Sequence, residues 1–217
     1  MNRKLSKDIE AFLDMYPIFF LVEETEVKLT LDGKIDIIDV DGNYWDSYDI
    51  RIKVPVTKYP NIIPEVYEIS KKIKRENDWH IANDGACCLD ITHQLLLLKN
   101  KGIDLISFYQ NKIYPFFANH QYKLQTGNYA NGDYPHEFDG VKYYYAKEFN
   151  LIDSELIIKI LKQITTNKLP KKEAMCICGK FKFKHCHLST VTKLIQFGQH
   201  QLKMDLALFI LDSNEKK

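Results

Sequence analysis

Two adjacent thiols, Cys87 and Cys88, follow Gly85 and immediately precede Leu89-Asp90-Ile91. A reachable, partly ionised thiol is a nucleophile, and an unperturbed one has a pKa of about 8.5. Such a sulfur can accept an acyl group and pass it to an amine. The chemistry needs a base or a thiolate partner, for which His80 and His136 are the candidates. Each also has a plain structural reading, His80 as a turn residue and His136 as a loop residue. Asp90 fits a helper role beside the thiol.

A second group of side chains carries different chemistry. CICGKFKFKHCH sets Cys176 and Cys178 in a C-x-C step, with Cys186 and His187 after seven further residues. Three thiolates and one imidazole fill a tetrahedral zinc site, and a site closed by four protein ligands is structural. His185 is an alternative fourth ligand, and Gly179 permits the tight turn after the first pair. Lys180, Lys182 and Lys184, with Lys171 and Lys172 nearby, make this segment basic. They form either a solvated loop or a docking surface for a protein or nucleic acid.

The elements that must position these groups follow from patterning. Leu5, Ile9, Phe12 and Leu13 recur at helical spacing over Lys4–Met15, and Pro17 ends that helix. Strand-like runs follow at Glu26–Leu31, Lys34–Val40 and Tyr48–Val54, with Asp32-Gly33 and Asp41-Gly42 as turn signals between them. Ile35 and Ile37, then Tyr48, Ile50, Ile52 and Val54, alternate with polar residues, so each strand buries one face. Glu65–Ile69 reads as a fourth strand. Ser70 to Asp84 is polar and delivers the chain to the cysteines. Ile103–Tyr122 predicts a long helix that Pro115 kinks or splits, and 125–134 is a loop. Ser154–Thr165 predicts a helix capped by Ser154, and Ser189–Leu211 a closing helix.

The residues Tyr59, Pro60, Pro64, His80, Asn83, Gly85, Cys88, Leu89, Asp90 and Ile91, in this order of elements, resemble the ubiquitin-conjugating (UBC) superfamily over roughly residues 1–165. In that family a Tyr-Pro and a later Pro precede His-Pro-Asn and then Gly-x-Ile-Cys-Leu-Asp-Ile. Matched from the C-terminal side, the resemblance makes Cys88 the acyl carrier and puts Cys87 at an apolar packing position. It implies that Asn83, or a backbone N–H near Gly85, stabilises the tetrahedral oxyanion, a donor worth about 3–4 kcal/mol. The chain departs from the pattern where His80 is followed by Ile-Ala-Asn, and the path to the cysteine is about two residues shorter. The stretch between Phe116 and Phe149 looks more like divergent prokaryotic proteins of conjugation-like and defence operons. The terminal cluster resembles the SEC-C zinc-binding motif.

Bulk properties bound the rest. The chain has 217 residues, 45% of them hydrophobic, and a formal net charge of +1 from 30 basic and 29 acidic residues. That balance gives no bulk attraction to nucleic acid or membrane. No apolar run reaches the roughly 18 residues of a membrane span, and Asp8, Glu10 and Asp14 interrupt any signal-peptide core. Five clustered cysteines suit a reducing, cytoplasmic setting better than a disulfide framework. The expectation is an α+β chain with a UBC-like domain over 1–167 and a SEC-C-like zinc knuckle with a closing helix over 168–217. Its expected partners are a ubiquitin-like modifier, an activating enzyme and a target protein, with no membrane. The alternatives are a catalytically inactive UBC-like adaptor, or a cysteine hydrolase pairing Cys88 with His136.

Overall fold

A computed structural model describes residues 3–130, 135 and 137–215. The chain divides into two compact units, Met1–Asp133 and Tyr134–Lys217. The architecture is α+β: an N-terminal helix, a four-stranded antiparallel sheet, then several helices.

In the first unit, helix α1 (Arg3–Met15) buries Leu5, Ile9 and Phe12 on one face. The sheet is a simple meander of β1 (Phe20–Glu24), β2 (Lys28–Ile38), β3 (Tyr44–Pro55) and β4 (Glu65–Glu68). Register pairs Leu31 with Ile52 and Ile35 with Tyr48, so the period-2 apolar positions of both long strands share one buried face. On the opposite face Asp32 and Arg51 are paired residues and form a two-pronged ion pair at 2.7 Å.

Asp41-Gly42 makes a turn as expected, tied by Asp39 Oδ1 accepting from the amides of Asp41 and Asn43. Asp32-Gly33 does not turn. Strand β2 runs straight through it, and Gly33 pairs with Ile50. A Cβ at Gly33 would fall 2.3 Å from the Phe19 ring, so glycine is there to admit an aromatic. Strand β1 was not anticipated, because all five of its residues are exposed and no alternation marks it.

Helix α2 (Thr92–Lys101) follows the cysteines. It was also missed, since its Leu95–Leu98 run is half-buried all along and lacks a stripe. The long helix is three joined pieces: α3 (Leu105–Phe108), a π turn (Tyr109–Ile113) and α4 (Tyr114–Thr126). The wide turn ends just before Pro115, which has no N–H to donate back along the helix. Helix α4 lies against β2 and β3, and Phe117 stacks near Tyr48 with ring centroids 5.2 Å apart.

The second unit holds α5 (Glu137–Phe149), α6 (Ser154–Thr165), α7 (Leu188–Ile195) and α8 (Gly198–Glu215). Helix α6 buries Ile157, Ile160, Leu161 and Ile164, and α8 is its main packing partner. That packing puts residues 137–165 with the C-terminal unit, so the unit boundary falls at 133/134 instead of 167/168. The cap of α6 is Asp153, whose Oδ1 accepts from Glu155 N at 2.9 Å, and not Ser154. The closing helix is two helices, broken at Gly198 with φ +83°.

Candidate functional site

The two cysteines lie in a short hairpin that extends the sheet past β4. Cys87 N donates to Val66 O at 2.8 Å, and Glu68 N to Gly85 O at 2.9 Å, so residues 85–87 pair with β4. Residues 80–82 pair in turn with 86–88, through Ala82 N to Ala86 O and Cys88 N to His80 O, both 2.9 Å. The turn is Ala82–Gly85, closed by Gly85 N to Ala82 O and by Asp84 Oδ1 accepting from Ala86 N. Gly85 has φ +95°, and a Cβ there would meet Glu68 O at 2.6 Å. Glycine is therefore demanded twice at this position, by the left-handed backbone and by the close strand.

Period-2 alternation in this hairpin separates the thiols. Cys88 is exposed, while Cys87 is half-buried against the core with its sulfur 3.7 Å from Gly85 O. Desolvation drives the Cys87 thiol far above its ordinary pKa, outweighing a hydrogen bond to the Glu68 backbone that lowers it. The Cys88 thiol is also pushed up, by desolvation. Beneath the hairpin Glu68 is buried and forms an ion pair with Arg75 at 2.5 Å, while Arg75 Nη2 donates to Glu68 O at 2.8 Å.

The other expected site residues divide by position. His80 is directly across the hairpin from Cys88 and half-buried. Asn83 is exposed at the turn, which begins at Ala82, two residue steps or about 7 Å along the strand from His80. The amides of Gly85, Ala86, Cys87, Cys88 and Leu89 each already have an acceptor within the hairpin or on β4. Asp90 Oδ2 is ion-paired with Lys112 at 2.5 Å, which ties the segment after Cys88 to the π turn. His136 lies outside the described residues.

Sequence reasoning missed the clasp on the other side of His80. His120, on α4, is buried; its Nδ1 faces Phe116 O at 2.7 Å and its Nε2 faces Trp79 O at 2.6 Å. The Tyr129 hydroxyl is 3.1 Å from the same Nε2, and the Tyr129 ring centroid is 5.7 Å from that of His80. Lys123 donates to Asp78 O at 2.5 Å and lies over the Tyr129 ring at 4.2 Å. Desolvation lowers the His120 pKa, outweighing the two backbone carbonyls. One signal was available: His120 continues the buried series Ile113, Phe116, Phe117 at helical spacing, a polar residue on an apolar face.

In the second unit Cys176, Cys178, Cys186 and His187 converge, with one ligand atom from each within 4.8 Å of all the others. Cys178 and Cys186 sulfurs are 3.4 Å apart, and His187 Nδ1 is 3.2 Å from Cys176 Sγ and 3.3 Å from Cys186 Sγ. Sulfur and nitrogen ligands around one tetrahedral ion stand roughly 3.5–3.8 Å apart, as bond lengths of about 2.3 and 2.0 Å require. The four side chains therefore could hold a metal ion. Cys176 N donates to Phe181 O and Gly179 N to Cys176 O, both at 2.8 Å, which shapes the first knuckle. Gly179 takes φ +77° there. Burial lowers the His187 pKa, with Lys180 adding to the effect, which favours the neutral form that a metal-ligating imidazole needs. His185 is exposed and stays outside the cluster.

Among the described residues no helix is long and apolar enough to cross a membrane. Comparison with protein-family models, with curated proteins and with solved structures found no match.

Proposed function

We propose that the first unit is a UBC-like domain that carries a ubiquitin-like modifier as a thioester on Cys88. The observation that carries this reading is the split between the two thiols. Cys88 is exposed on the outer hairpin of an antiparallel meander, while Cys87 faces the core. The order of elements around it, a helix, four meandering strands, the cysteine hairpin and then helices, supports the same reading.

The Cys88 thiolate attacks the thioester carbonyl that joins the modifier to an activating enzyme, and that enzyme's thiolate leaves. An amine of the target then attacks the new thioester, loses a proton and expels the Cys88 thiolate. His80, across the hairpin, is the nearest candidate in sequence and pairing to take that proton. Asp90 acts as a positioning residue, because its carboxylate is held by Lys112.

A second reading, an inactive adaptor of the same fold, is favoured by the desolvated Cys88 thiol and by the place of Asn83 at the turn. Purification from the native host under acidic, non-reducing conditions separates the two. An active carrier yields a mass increment on the intact protein that dithiothreitol removes. The increment is lost in Cys88→Ala, kept in Cys87→Ala and made reductant-resistant as an oxyester in Cys88→Ser. Absence of any increment at Cys88, with cognate modifier and activating enzyme present, decides for the adaptor.

Zn2+ is the ion that we assign to Cys176, Cys178, Cys186 and His187. A closed set of three thiolates and one imidazole suits zinc and leaves no open position, so the ion's role is to staple the knuckle to the start of α7. The resemblance to SEC-C motifs belongs to this proposal.

A further inference from the structure

Charge is unevenly shared between the two units. Residues 1–133 carry 16 basic and 20 acidic side chains, and residues 134–217 carry 14 lysines against nine carboxylates. The excess concentrates at the metal knuckle. Between Lys168 and His187 there are six lysines and one carboxylate, Glu173.

Backbone pairing brings these lysines together. Lys184 N donates to Lys172 O, Phe183 N to Ala174 O and Cys176 N to Phe181 O, so 172–176 and 181–184 run antiparallel with the knuckle as their turn. Lys171, Lys172, Lys180, Lys182 and Lys184 are all exposed on this small ribbon. Glu173 engages Lys182 at 3.2 Å and Lys184 at 2.7 Å. Lys171, Lys172 and Lys180 have no carboxylate partner among the described residues.

The ribbon also displays an aromatic ring. Phe181 is 64% exposed, whereas Phe183, two residues on, is 2% exposed and anchors the ribbon from within. Leaving a phenyl ring in water costs stability unless something covers it. Lys180 and Lys182 are its chain neighbours, and both are exposed as well. A flat apolar face between two cations suits a stacked base with a phosphate on either side. It does not suit a duplex, whose bases are already stacked on each other, and no helix of this segment is offered to a groove.

We infer that the basic knuckle binds single-stranded nucleic acid, with Phe181 as the stacking platform and Lys171, Lys172 and Lys180 as phosphate contacts. This is separate from the thioester reading of Cys88, and neither depends on the other.

The test uses the full-length, zinc-loaded protein and fluorescence anisotropy with labelled oligo-U and oligo-dT of roughly 12 nucleotides, within the range that small single-strand sites cover. Three phosphate contacts on a single strand give a salt slope of about −2, so affinity falls about 20-fold from ~50 to ~200 mM salt. Lys180→Ala flattens the slope by about 0.7, and Phe181→Ala weakens binding on the order of tenfold. Stronger binding of oligo-U marks RNA as the natural ligand, and stronger binding of oligo-dT marks DNA. Cys88→Ala binds as the parent does. The inference is overturned if neither oligonucleotide binds at the lower salt, if Phe181→Ala binds as tightly as the parent, or if a duplex binds equally well. Binding confined to vesicles of phosphatidylcholine with phosphatidylglycerol overturns it too. Both substituted side chains are exposed, and unchanged bound zinc in each variant shows that the knuckle is intact.

Discussion

Replacing Gly85 with alanine tests whether the cysteine hairpin is held where the structure puts it. Two costs add. The backbone at this position has φ +95°, where an L side chain costs about 1–2 kcal/mol. The new Cβ would also lie 2.6 Å from the carbonyl oxygen of Glu68, a backbone atom that cannot swing aside. Relief requires residues 85–87 to move off β4, which weakens Glu68 N to Gly85 O and Cys87 N to Val66 O. Each such bond contributes about 1 kcal/mol. The expected loss is therefore about 2–4 kcal/mol. Gly42 supplies an internal control, because its φ is +84° and nothing lies within 4 Å of the Cβ it would gain. Gly42→Ala should cost only the conformational part, about 1–2 kcal/mol. Urea unfolding followed by tryptophan emission measures both, since the two tryptophans, Trp45 and Trp79, belong to the first unit. Equal losses in the two variants would refute the close packing of Gly85 on β4.

Other consequences are open to measurement. With iodoacetamide and peptide mapping, Cys88 should be alkylated well before Cys87. Because desolvation raises the Cys88 pKa, its rate should still climb above about pH 9.5, where an unperturbed thiol of pKa about 8.5 has levelled off. Arg75→Met leaves the buried Glu68 carboxylate without its cation and should cost about 3–5 kcal/mol, while the Glu68→Met/Arg75→Met double variant recovers much of that. His120 has a folded-state pKa below the unfolded value of about 6.5. Its contribution to the first unit is therefore full above about pH 6.5 and is lost as pH falls from there through the folded pKa; His120→Gln should remove that slope from urea titrations. Metal analysis should find one zinc per chain in the parent and in Cys88→Ala, and loss of zinc in Cys178→Ser and His187→Ala.

What the sequence disclosed depended on how local the governing interaction was. Helix α1 and strand β3 carry their burial pattern in their own residues, and the four residues of the Cys/His cluster that could hold a metal lie within twelve consecutive positions. The different places of Cys87 and Cys88 were expected only through the family resemblance, which put Cys87 at an apolar packing position; the alternation that separates them shows once the hairpin is known. Asp32-Gly33 misled because a dipeptide signal was weighed without Phe19, whose ring occupies the space beside Gly33. Helix α2 was hidden by a leucine run with no polar face. The position of His80 across from Cys88 depends on hairpin register, and the His120 clasp on Trp79 spans 41 residues. The first pairing closes within residues 80–88 but turns on register, and the second is not encoded in any short window. The division into compact units at 133/134 is not local either, since the packing of α6 on α8 is what groups residues 137–165 with the second unit.

The clasp around the hairpin also bears on when the site is assembled. Its ties run to distant parts of the chain: Trp79 to His120, Asp78 to Lys123 and Asp90 to Lys112. Contacts that close long loops must first meet a large entropy cost, so they form late in folding. Until then both thiols face solvent as neighbours in an open loop. Docking on β4 and under α4 is what withdraws one of them. Protection of Cys87 from alkylation during refolding is thus a clock for the completion of the first unit, read at a single sulfur.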